Sequence, residues 1–239
     1  MEKIERKLLL MAVMLLLTVT VIGMVFADPA GTGTLTPSSS ARGNDPSAGN
    51  LSAQGGNVTN IDIDSQSITT KWAGFYGDVT GGISLEDGSG NAFYNWSDAS
   101  PTGEVFATRD SNPTWGSIAC ASAGNVNTEA DELDLTAGMD NLTSTFCETC
   151  GNHTAFDVAA ASFTADQCTF RTNAYNSTGS QTDNWDQILL WEGTNVVYTT
   201  IINQDTDGFT GSNYDFQLLV GENSSTSVLT QYYFFVEIA

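Results

Sequence analysis

The chain has 239 residues, with 28 acidic residues against 7 basic ones and a formal net charge of −21. Such a charge repels nucleic acid and anionic lipid, so we expect neither as a partner. Residues 1–27 contain three of the basic and two of the acidic residues, which leaves four basic against 26 acidic residues in the remainder. So acidic a surface is typical of proteins in high or divalent salt, where counterions screen the repulsion.

An apolar run from Leu8 to Phe26 opens the chain and predicts an apolar helix. Val25-Phe26-Ala27 offers small residues where a signal peptidase reads, which predicts cleavage before Asp28. The run has about 19 residues, more than the roughly 7–15 of a signal peptide core and enough to cross a bilayer. Residues 1–27 are therefore a signal peptide or, if uncleaved, a membrane anchor through residues 8–26. Both alternatives place the remainder outside the cell or on its surface.

Residues 28–56 form a stretch rich in Ser, Thr, Gly and Pro without a single aromatic residue. So few apolar side chains cannot bury enough surface to offset the loss of chain entropy on folding. We therefore predict a disordered linker over residues 28–56, with a fully extended reach of about 90 Å.

Strand signals begin near Asn57 and continue to the end of the chain. Short runs of Val, Ile, Phe, Tyr and Trp alternate with turn-forming residues, and no helical period separates them. The turns Glu86–Gly90 and Glu192–Asn195 are each flanked by apolar runs, as in a β-hairpin. The pattern predicts an all-β fold, a single antiparallel β-sandwich of jelly-roll type over residues 57–239. The final run, Val228–Ile238, is predicted to be a sheet strand.

The middle of this domain is less regular. Residues 120–182 contain all four cysteines and a weaker strand pattern, so we interpret them as an insertion tied by disulfides. Within it, Thr128–Leu135 predicts either a short helix capped by Thr128 or a connecting loop.

An even number of cysteines in an exported chain predicts structural disulfides between Cys120, Cys147, Cys150 and Cys168. Chain entropy assigns about 3.6 and 3.2 kcal/mol to a pairing of 120 with 147 and 150 with 168. It assigns about 4.1 and 1.9 kcal/mol to a pairing of 120 with 168 and 147 with 150. The two totals are too similar to decide, so both pairings stay open.

The segment Cys147-Glu-Thr-Cys150 is also compatible with three other functions: a redox pair, haem attachment and zinc binding. A thioredoxin-type redox pair needs a βαβ context, which the pattern does not predict here. Haem attachment needs a histidine where the chain has Gly151. The cysteines and His153 could also hold zinc, but oxidising surroundings favour disulfides.

One loop, residues 203–209, has the spacing of a calcium site. Ca²⁺ takes about six to eight oxygens, which alternating side chains, a turn glycine and a backbone carbonyl can supply. The predicted ligands are Asn203, Asp205, Asp207, Phe209 and Asp215. The loop resembles the DxDxDG calcium loops of extracellular proteins, but Tyr214 replaces the bidentate Glu of an EF-hand and the flanks are strand-like. We expect Ca²⁺ with a Kd on the order of 10⁻⁴–10⁻³ M. The alternative is a plain hairpin loop.

Exposed aromatic residues on a sheet face can stack on sugar rings, and the candidates are Trp72, Tyr76, Tyr94 and Trp96. The alternative places these aromatics in the core, where large aromatic side chains mostly lie. Trp72 and Tyr76 share one face of a strand while Phe75 points to the other, so both faces carry aromatics. That alternation favours the core interpretation.

Seven asparagines begin Asn-X-Ser/Thr sequons, which are surface glycosylation sites in an exported protein of a glycosylating organism. They are Asn50, Asn57, Asn95, Asn141, Asn152, Asn176 and Asn223. Ordinary polar loop composition is the alternative explanation.

Little in the sequence supports catalysis. The chain has one histidine, His153, and no Gly-X-Ser-X-Gly motif. A secreted hydrolase that uses two carboxylates is compatible with 26 acidic residues, but no spacing selects a pair. We therefore expect a non-enzymatic protein.

The acidic, lysine-poor, sequon-rich β domain behind an export signal and a Ser/Thr/Pro linker resembles secreted cell-surface proteins of archaea. The resemblance is one of architecture and composition over the whole chain. It implies a structural or adhesive role, with filament formation by pilin-like insertion of an N-terminal strand into the next subunit. The candidate donor segment, residues 31–37, alternates Thr with a single Leu, which is a poor match. Expected partners are further copies of the chain or surface glycans, the latter in a calcium-dependent carbohydrate-binding module.

Overall fold

The computed structural model describes residues 28–33, 35–63, 66–223 and 229–238, except for the side chains of Thr182 and Asp183. The predicted signal peptide or anchor, residues 1–27, lies outside the described residues. Among the helices of the described ranges, none is long and apolar enough to cross a membrane.

Strands dominate the described part of the chain, with 36% strand and 8% helix. The strands are β1 Ala30–Gly31, β2 Trp72–Gly77, β3 Gly81–Glu86, β4 Ala92–Asp98, β5 Gly103–Thr108, β6 Ala119–Cys120, β7 Phe156–Val158, β8 Ala161–Phe163, β9 Arg171–Tyr175, β10 Gln181–Trp191, β11 Val196–Ile201, β12 Thr206–Asp207, β13 Asn213–Tyr214, β14 Phe216–Gly221 and β15 Tyr233–Ile238. The helices are a 3-10 turn Trp115–Ser117, α1 Ala123–Glu132 and α2 Leu142–Thr145. The prediction of an antiparallel all-β fold is confirmed.

A seven-stranded antiparallel sheet forms the centre of the molecule. Its strand order is β1-β15-β5-β11-β10-β6, and β9 also pairs with β10. The predicted hairpin at Glu192–Asn195 joins β10 to β11. The C-terminal strand β15 lies between β5 and β1 and pairs with β5 over its full length. The chain's last residues are therefore a sheet strand, as predicted.

Both faces of this main sheet are buried, because side chains alternate between two hydrophobic cores. Ala107, Leu189 and Tyr198 point into the first core, which the antiparallel pair β14–β2 and the helix α1 cover. The neighbouring residues Phe106 and Ile188 point into the second core, which the β7–β8 hairpin and the 3-10 turn cover. The alternation follows from the two-residue period of a strand.

The segment interpreted as an insertion, residues 120–182, supplies part of both covers and two strands of the main sheet, β6 and β9. Its helix α1 begins five residues before the predicted start. Ser122 and Asn125 form a reciprocal capping box at its N-terminus. Thr128 lies inside the helix, where its hydroxyl donates to the carbonyl of Gly124.

Strands β3 and β4 form a two-stranded ribbon, residues 81–98, which we call the arm. In the described part of the chain its strands pair only with each other. Its base lies against the end of β15, because a Cβ atom at Gly81 would lie 2.6 Å from Ile238 Cδ1. A larger residue at position 81 would require the side chain of Ile238 to move. The predicted hairpin at Glu86–Gly90 is the tip of the arm.

Candidate functional site

The N-terminal segment pairs with the outer edge of the main sheet. Ala30 lies opposite Val236 and Gly31 opposite Phe235. The amide and the hydroxyl of Thr32 both donate to the carbonyl of Phe234, each at 3.2 Å. This segment therefore forms a short strand, although its sequence has little of the apolar alternation typical of one.

The contact between β1 and β15 is small. Two residue pairs, the two hydrogen bonds of Thr32 and the burial of Pro29 hold β1 in place. Beside it lies a groove of about 250 Å³ between residues 31–35 and residues 232–235. The edge of β15 thus binds a short extended segment through a small contact area.

The strand β1 lies within the predicted disordered linker, residues 28–56, so that prediction is wrong at Ala30–Gly31, and the rest of the linker follows β1. The described residues between 32 and 71 contain neither strand nor helix, and most of them are exposed. Within the segment, the amide of Ile68 donates to Asp45 and Arg42 donates to the carbonyl of Ile68. At its end the hydroxyl of Thr69 donates to Asp140 of the domain. The chain therefore joins β1 to β2 through a long segment with few contacts to the domain.

The predicted calcium loop closes through hydrogen bonds within the protein. Asp215 Oδ2 accepts from the amide of Val79 at 2.7 Å, and its Oδ1 accepts from the amide of Asp205 at 3.0 Å. Asp207 Oδ2 accepts from the hydroxyl of Ser177. Asn203 donates its side-chain amide to the carbonyl of Asn184. The amide of Phe209 donates to Gln217, so all five predicted ligands have partners within the protein, through a side chain or a backbone amide.

The sharp turn of this loop lies at Asp205, which has a φ of +50°, and not at Gly208. Glycine is needed at 208 for a different reason, because a Cβ atom there would lie 2.4 Å from the ring of Tyr214. Phe209 is half exposed and packs edge-on against Tyr76. Among the described residues, no group of three or more His, Cys, Asp or Glu side chains is arranged to hold a metal ion. Calcium binding stays a prediction.

The four candidate stacking residues lie in two places. Trp72 packs against Phe146 and donates its indole N–H to the carbonyl of Asp140, so it belongs to the first core. Tyr76 packs against Phe209 beside the loop. Tyr94 and Trp96 lie side by side on the arm, with ring centroids 4.7 Å apart.

The core interpretation is wrong for the two aromatics of the arm. Tyr94 is 56% exposed and Trp96 is 53% exposed. Burial needs a layer opposite the strand, and in the described part of the chain no further strand pairs with the arm. Stacking of Tyr94 and Trp96 on sugar rings stays a prediction.

The cysteines form the two disulfides Cys120–Cys168 and Cys147–Cys150. The first joins residues 48 positions apart and ends at the fully buried Cys168 in the second core. The second closes a three-residue step at the surface. Both disulfides form in an oxidising compartment, which is consistent with export.

The single histidine, His153, forms hydrogen bonds that hold neighbouring backbone segments together. His153 is buried, and its Nε2 accepts a hydrogen bond from the amide of Cys168. Its Nδ1 lies 2.7 Å from the carbonyl of Thr154, so it donates there. Asp186 accepts from the amide of Thr154 and from the side chain of Asn173, which ties the same segment to β10.

The predicted glycosylation sites differ in exposure. Asn50, Asn57 and Asn95 are exposed, while the other four sequon asparagines are half-buried. Asn141 caps α2 with its side-chain oxygen, and the oxygen of Asn176 accepts three hydrogen bonds within its own turn. Occupancy of the sequons stays a prediction.

Several buried carboxyl groups were not predicted from the sequence, among them Glu104 and Glu129. Glu104 on β5 is only 5% exposed, and burial raises its pKa to about 8, with further contributions from the nearby Glu237 and Asp157. Among the described residues, no Lys or Arg forms an ion pair with it.

Glu129 on α1, unlike Glu104, is buried beside a basic side chain. Arg109 contacts it at 2.5 Å, and Tyr198 donates its hydroxyl to it at 3.1 Å. Arg109 also forms an ion pair with the half-exposed Glu132. Burial still raises the pKa of Glu129, although Arg109 opposes that rise. This network joins α1 to the end of β5.

Comparison of the chain with protein-family models, with curated proteins and with solved structures gave no match. The geometry of the described residues is therefore the only basis for assigning a function. Two surfaces are candidates for a function: the edge of β15 that carries β1, and the exposed arm.

Proposed function

We propose that this protein is a non-enzymatic structural or adhesive protein of the cell surface, and that it assembles into filaments. The observation that carries the proposal is the position of β1 on the outer edge of β15. A short strand supplied by an otherwise extended segment is the element that strand exchange between copies requires.

The intramolecular contact is weak enough to be replaced. Two paired residues and the bonds of Thr32 hold the strand, and the same bonds form when the strand comes from another copy. Exchange therefore changes the covalent connection and leaves the contact itself unaltered. Such domain swapping is a low-cost route to oligomers.

The linker is long enough for exchange. About forty residues separate β1 from β2, and a fully extended chain of that length reaches roughly 130 Å. The paired residues at this edge are Ala and Gly of β1 with Phe and Val of β15, so the hydrogen-bonded contact itself is uncharged. Asp28 lies near Glu237 and contributes to the raised pKa of that residue, so high salt, which screens this repulsion, should favour exchange.

Locking β1 in its own subunit tests the proposal. Ala30 and Val236 lie directly opposite each other, so the double substitution Ala30→Cys with Val236→Cys places two thiols within disulfide range. We expect electron microscopy to show filaments of the unmodified secreted protein and none of the oxidised double variant. The matched Ala30→Ser with Val236→Ser variant should keep its filaments.

Two results would contradict the proposal. One is an unmodified protein that remains monomeric at high concentration and high salt. The other is filament formation that is unaffected by the crosslink.

A carbohydrate-binding role is the second candidate, because the exposed pair Tyr94 and Trp96 is the kind of surface on which sugar rings stack. Titration with oligosaccharides, with and without millimolar Ca²⁺, tests it through the fluorescence of the tryptophans. A response that disappears in Trp96→Ala and depends on Ca²⁺ supports this role. An unchanged spectrum excludes it for the sugars used.

A further inference from the structure

We propose that the paired carboxyl groups of Glu104 and Glu237 form a pH-sensitive latch, which holds β1 on β15 while the pair keeps a proton and releases it when both groups are charged. The inference deepens the proposed strand exchange by naming the condition that frees the strand. It rests on the proposed function only for its effect on filaments, because the attachment of β1 can be measured on a single chain.

The two carboxyl groups lie on adjacent strands of the main sheet. Glu104 on β5 lies directly opposite Glu237 on β15, and its other neighbour is the uncharged Ile201 on β11. Phe106 and Phe235, each two residues away, point into the second core, so both carboxyl groups lie on that face. Like charges at directly opposed positions destabilise a sheet. The sheet therefore tolerates this pair best when it carries fewer than two charges.

The surroundings of the pair add acid and no base. The amide of Ala159 donates to both carboxylate oxygens of Glu237, at 2.9 and 3.1 Å. Glu104 is 5% exposed and receives no such hydrogen bond from the described residues. Asp157 of the β7–β8 hairpin interacts unfavourably with both groups, and among the described residues no Lys or Arg forms an ion pair with either. A second charge on the pair is thus neither hydrated nor neutralised.

The pair is coupled to β1 through β15. Val236, which precedes Glu237, lies opposite Ala30 of β1. Asp28, two residues before Ala30, contributes to the raised pKa of Glu237, so the two carboxyl groups repel each other. A charge on Glu237 therefore acts on the segment that carries β1 as well as on Glu104. Because only two residue pairs hold β1, this repulsion opposes a weak contact.

Rising pH is the signal that opens the latch. Burial raises the pKa of Glu104 to about 8, with a further contribution from Glu237, and burial also raises the pKa of Glu237. A group with a raised pKa stabilises the folded arrangement below its ordinary pKa, and this contribution is lost as the pH rises through the raised value. The pair therefore keeps a proton at neutral pH and loses it above about pH 8, where β1 is released.

Hydrogen exchange of the Thr32 amide tests the latch, because this amide donates to the carbonyl of Phe234 while β1 is attached. The parent is measured in dilute solution as a single chain, and each rate is divided by the intrinsic rate at the same pH. We expect protection at pH 6 and a loss of at least about 10-fold by pH 9, since one pKa unit corresponds to a factor of ten. Circular dichroism should show a folded domain over the whole range.

Three variants assign the effect to the pair. Glu104→Gln removes one charge and should keep Thr32 protected to pH 9. Glu237→Gln should do the same, and its amide oxygen can still accept from the amide of Ala159. Glu148→Gln is the matched control, since Glu148 is exposed on the Cys147–Cys150 turn, and it should respond like the parent.

The predicted cleavage before Asp28 creates an amino group that titrates at about pH 8 as well. Its loss of charge at high pH would weaken its attraction to Glu237 and release β1 in the same direction. This contribution persists in Glu104→Gln, whereas that of the latch disappears, so the variant separates the two causes.

Three results overturn the latch. The first is protection of Thr32 that is equal at pH 6 and pH 9 in the parent. The second is a loss of protection that persists in Glu104→Gln. The third is a loss that occurs only together with unfolding of the whole domain.

Filaments provide a separate readout of the same switch. Filaments formed by the parent at pH 6 should dissociate at pH 9, and those of Glu104→Gln should persist. Parent filaments that persist at pH 9 although Thr32 loses protection contradict control of assembly by the latch. If Thr32 responds as expected and filaments form at no pH, the latch stands and the proposed function fails. If filaments form and Thr32 does not respond, the latch fails and the proposed function stands.

Discussion

The main sheet and the arm are built from the same kinds of residue but lie in opposite surroundings. Strand β5, Gly103–Thr108, is buried at every position, whereas β4, Ala92–Asp98, is exposed at every position. Both contain Phe together with other apolar residues. The difference shows that composition determines the strand, while the neighbouring layers determine its burial.

The main sheet is covered on both faces by elements from distant parts of the chain. The pair β14–β2 and α1 cover one face, and the β7–β8 hairpin covers the other. The arm has only its cross-strand pairs and its tip, where hydrogen bonds from Asn91 lower the pKa of Asp87. A two-stranded ribbon alone is marginally stable in water. The arm therefore adds little to the stability of the domain.

The largest expected effect is at Trp185 on β10, beside the irregularity in the pairing of β10 with β9. Trp185 is fully buried and donates its indole N–H to the carbonyl of Asp207. Trp185→Ala should lower the free energy of unfolding by about 3–5 kcal/mol, because it leaves a cavity and an unpaired carbonyl. Urea unfolding measures the change. A loss below about 1 kcal/mol would show that this region is not part of the cooperative core.

The two disulfides close loops of very different length, so they should differ in their contribution to stability. Replacing Cys120 and Cys168 by Ala should cost about 4 kcal/mol, because this bridge closes a long loop beside the second core. Replacing Cys147 and Cys150 should cost about 2 kcal/mol, since that bridge closes only a short surface turn. Thermal unfolding of the two double variants gives the order. The reverse order would contradict the loop-entropy argument.

Glu104, which is buried in the main sheet, lowers the stability of the fold at high pH, where its carboxyl group is charged. Its pKa is raised to about 8 by burial, so the folded state binds a proton more tightly than the unfolded state. Its contribution to stability is complete below the usual glutamate pKa and is lost as the pH rises to about 8. Glu104→Gln removes this loss, so the variant should match the parent near pH 4 and exceed it by up to about 5 kcal/mol at pH 9.

Urea unfolding at several pH values measures this difference. Burial also raises the pKa of the neighbouring Glu237, so a smaller residual slope is expected in the variant. A constant difference across the pH range would mean that Glu104 keeps its ordinary pKa.

Much of the fold could be predicted from local pattern. The hairpin between β10 and β11, the tip of the arm and the C-terminal strand all follow from apolar runs around turn residues. The number of cysteines predicted disulfides, but their pairing depends on which strands lie together. Local pattern thus identified the elements and left their partners open.

The candidate site was harder to predict for the same reason. Asp215 was assigned to a metal on its spacing, yet it accepts from the amide of Val79, which is 136 residues away. β1 is a strand only because β15 presents an edge to it, since its own residues have little strand character. Such contacts between distant residues leave no periodic signal in the sequence.

The smallest expected effect is on the arm, and it separates an exposed binding surface from a structural element. Trp96→Ala should change the free energy of unfolding by less than about 0.5 kcal/mol, as is usual for exposed residues outside special features. The matched substitution is Trp185→Ala, the same residue change at a buried position. If Trp96→Ala costs as much as about 2 kcal/mol, the arm packs on the domain, and Tyr94 and Trp96 are not free for a ligand. If stability is unchanged while the fluorescence response to oligosaccharides disappears, the exposed aromatic pair acts in binding, as the second candidate function requires.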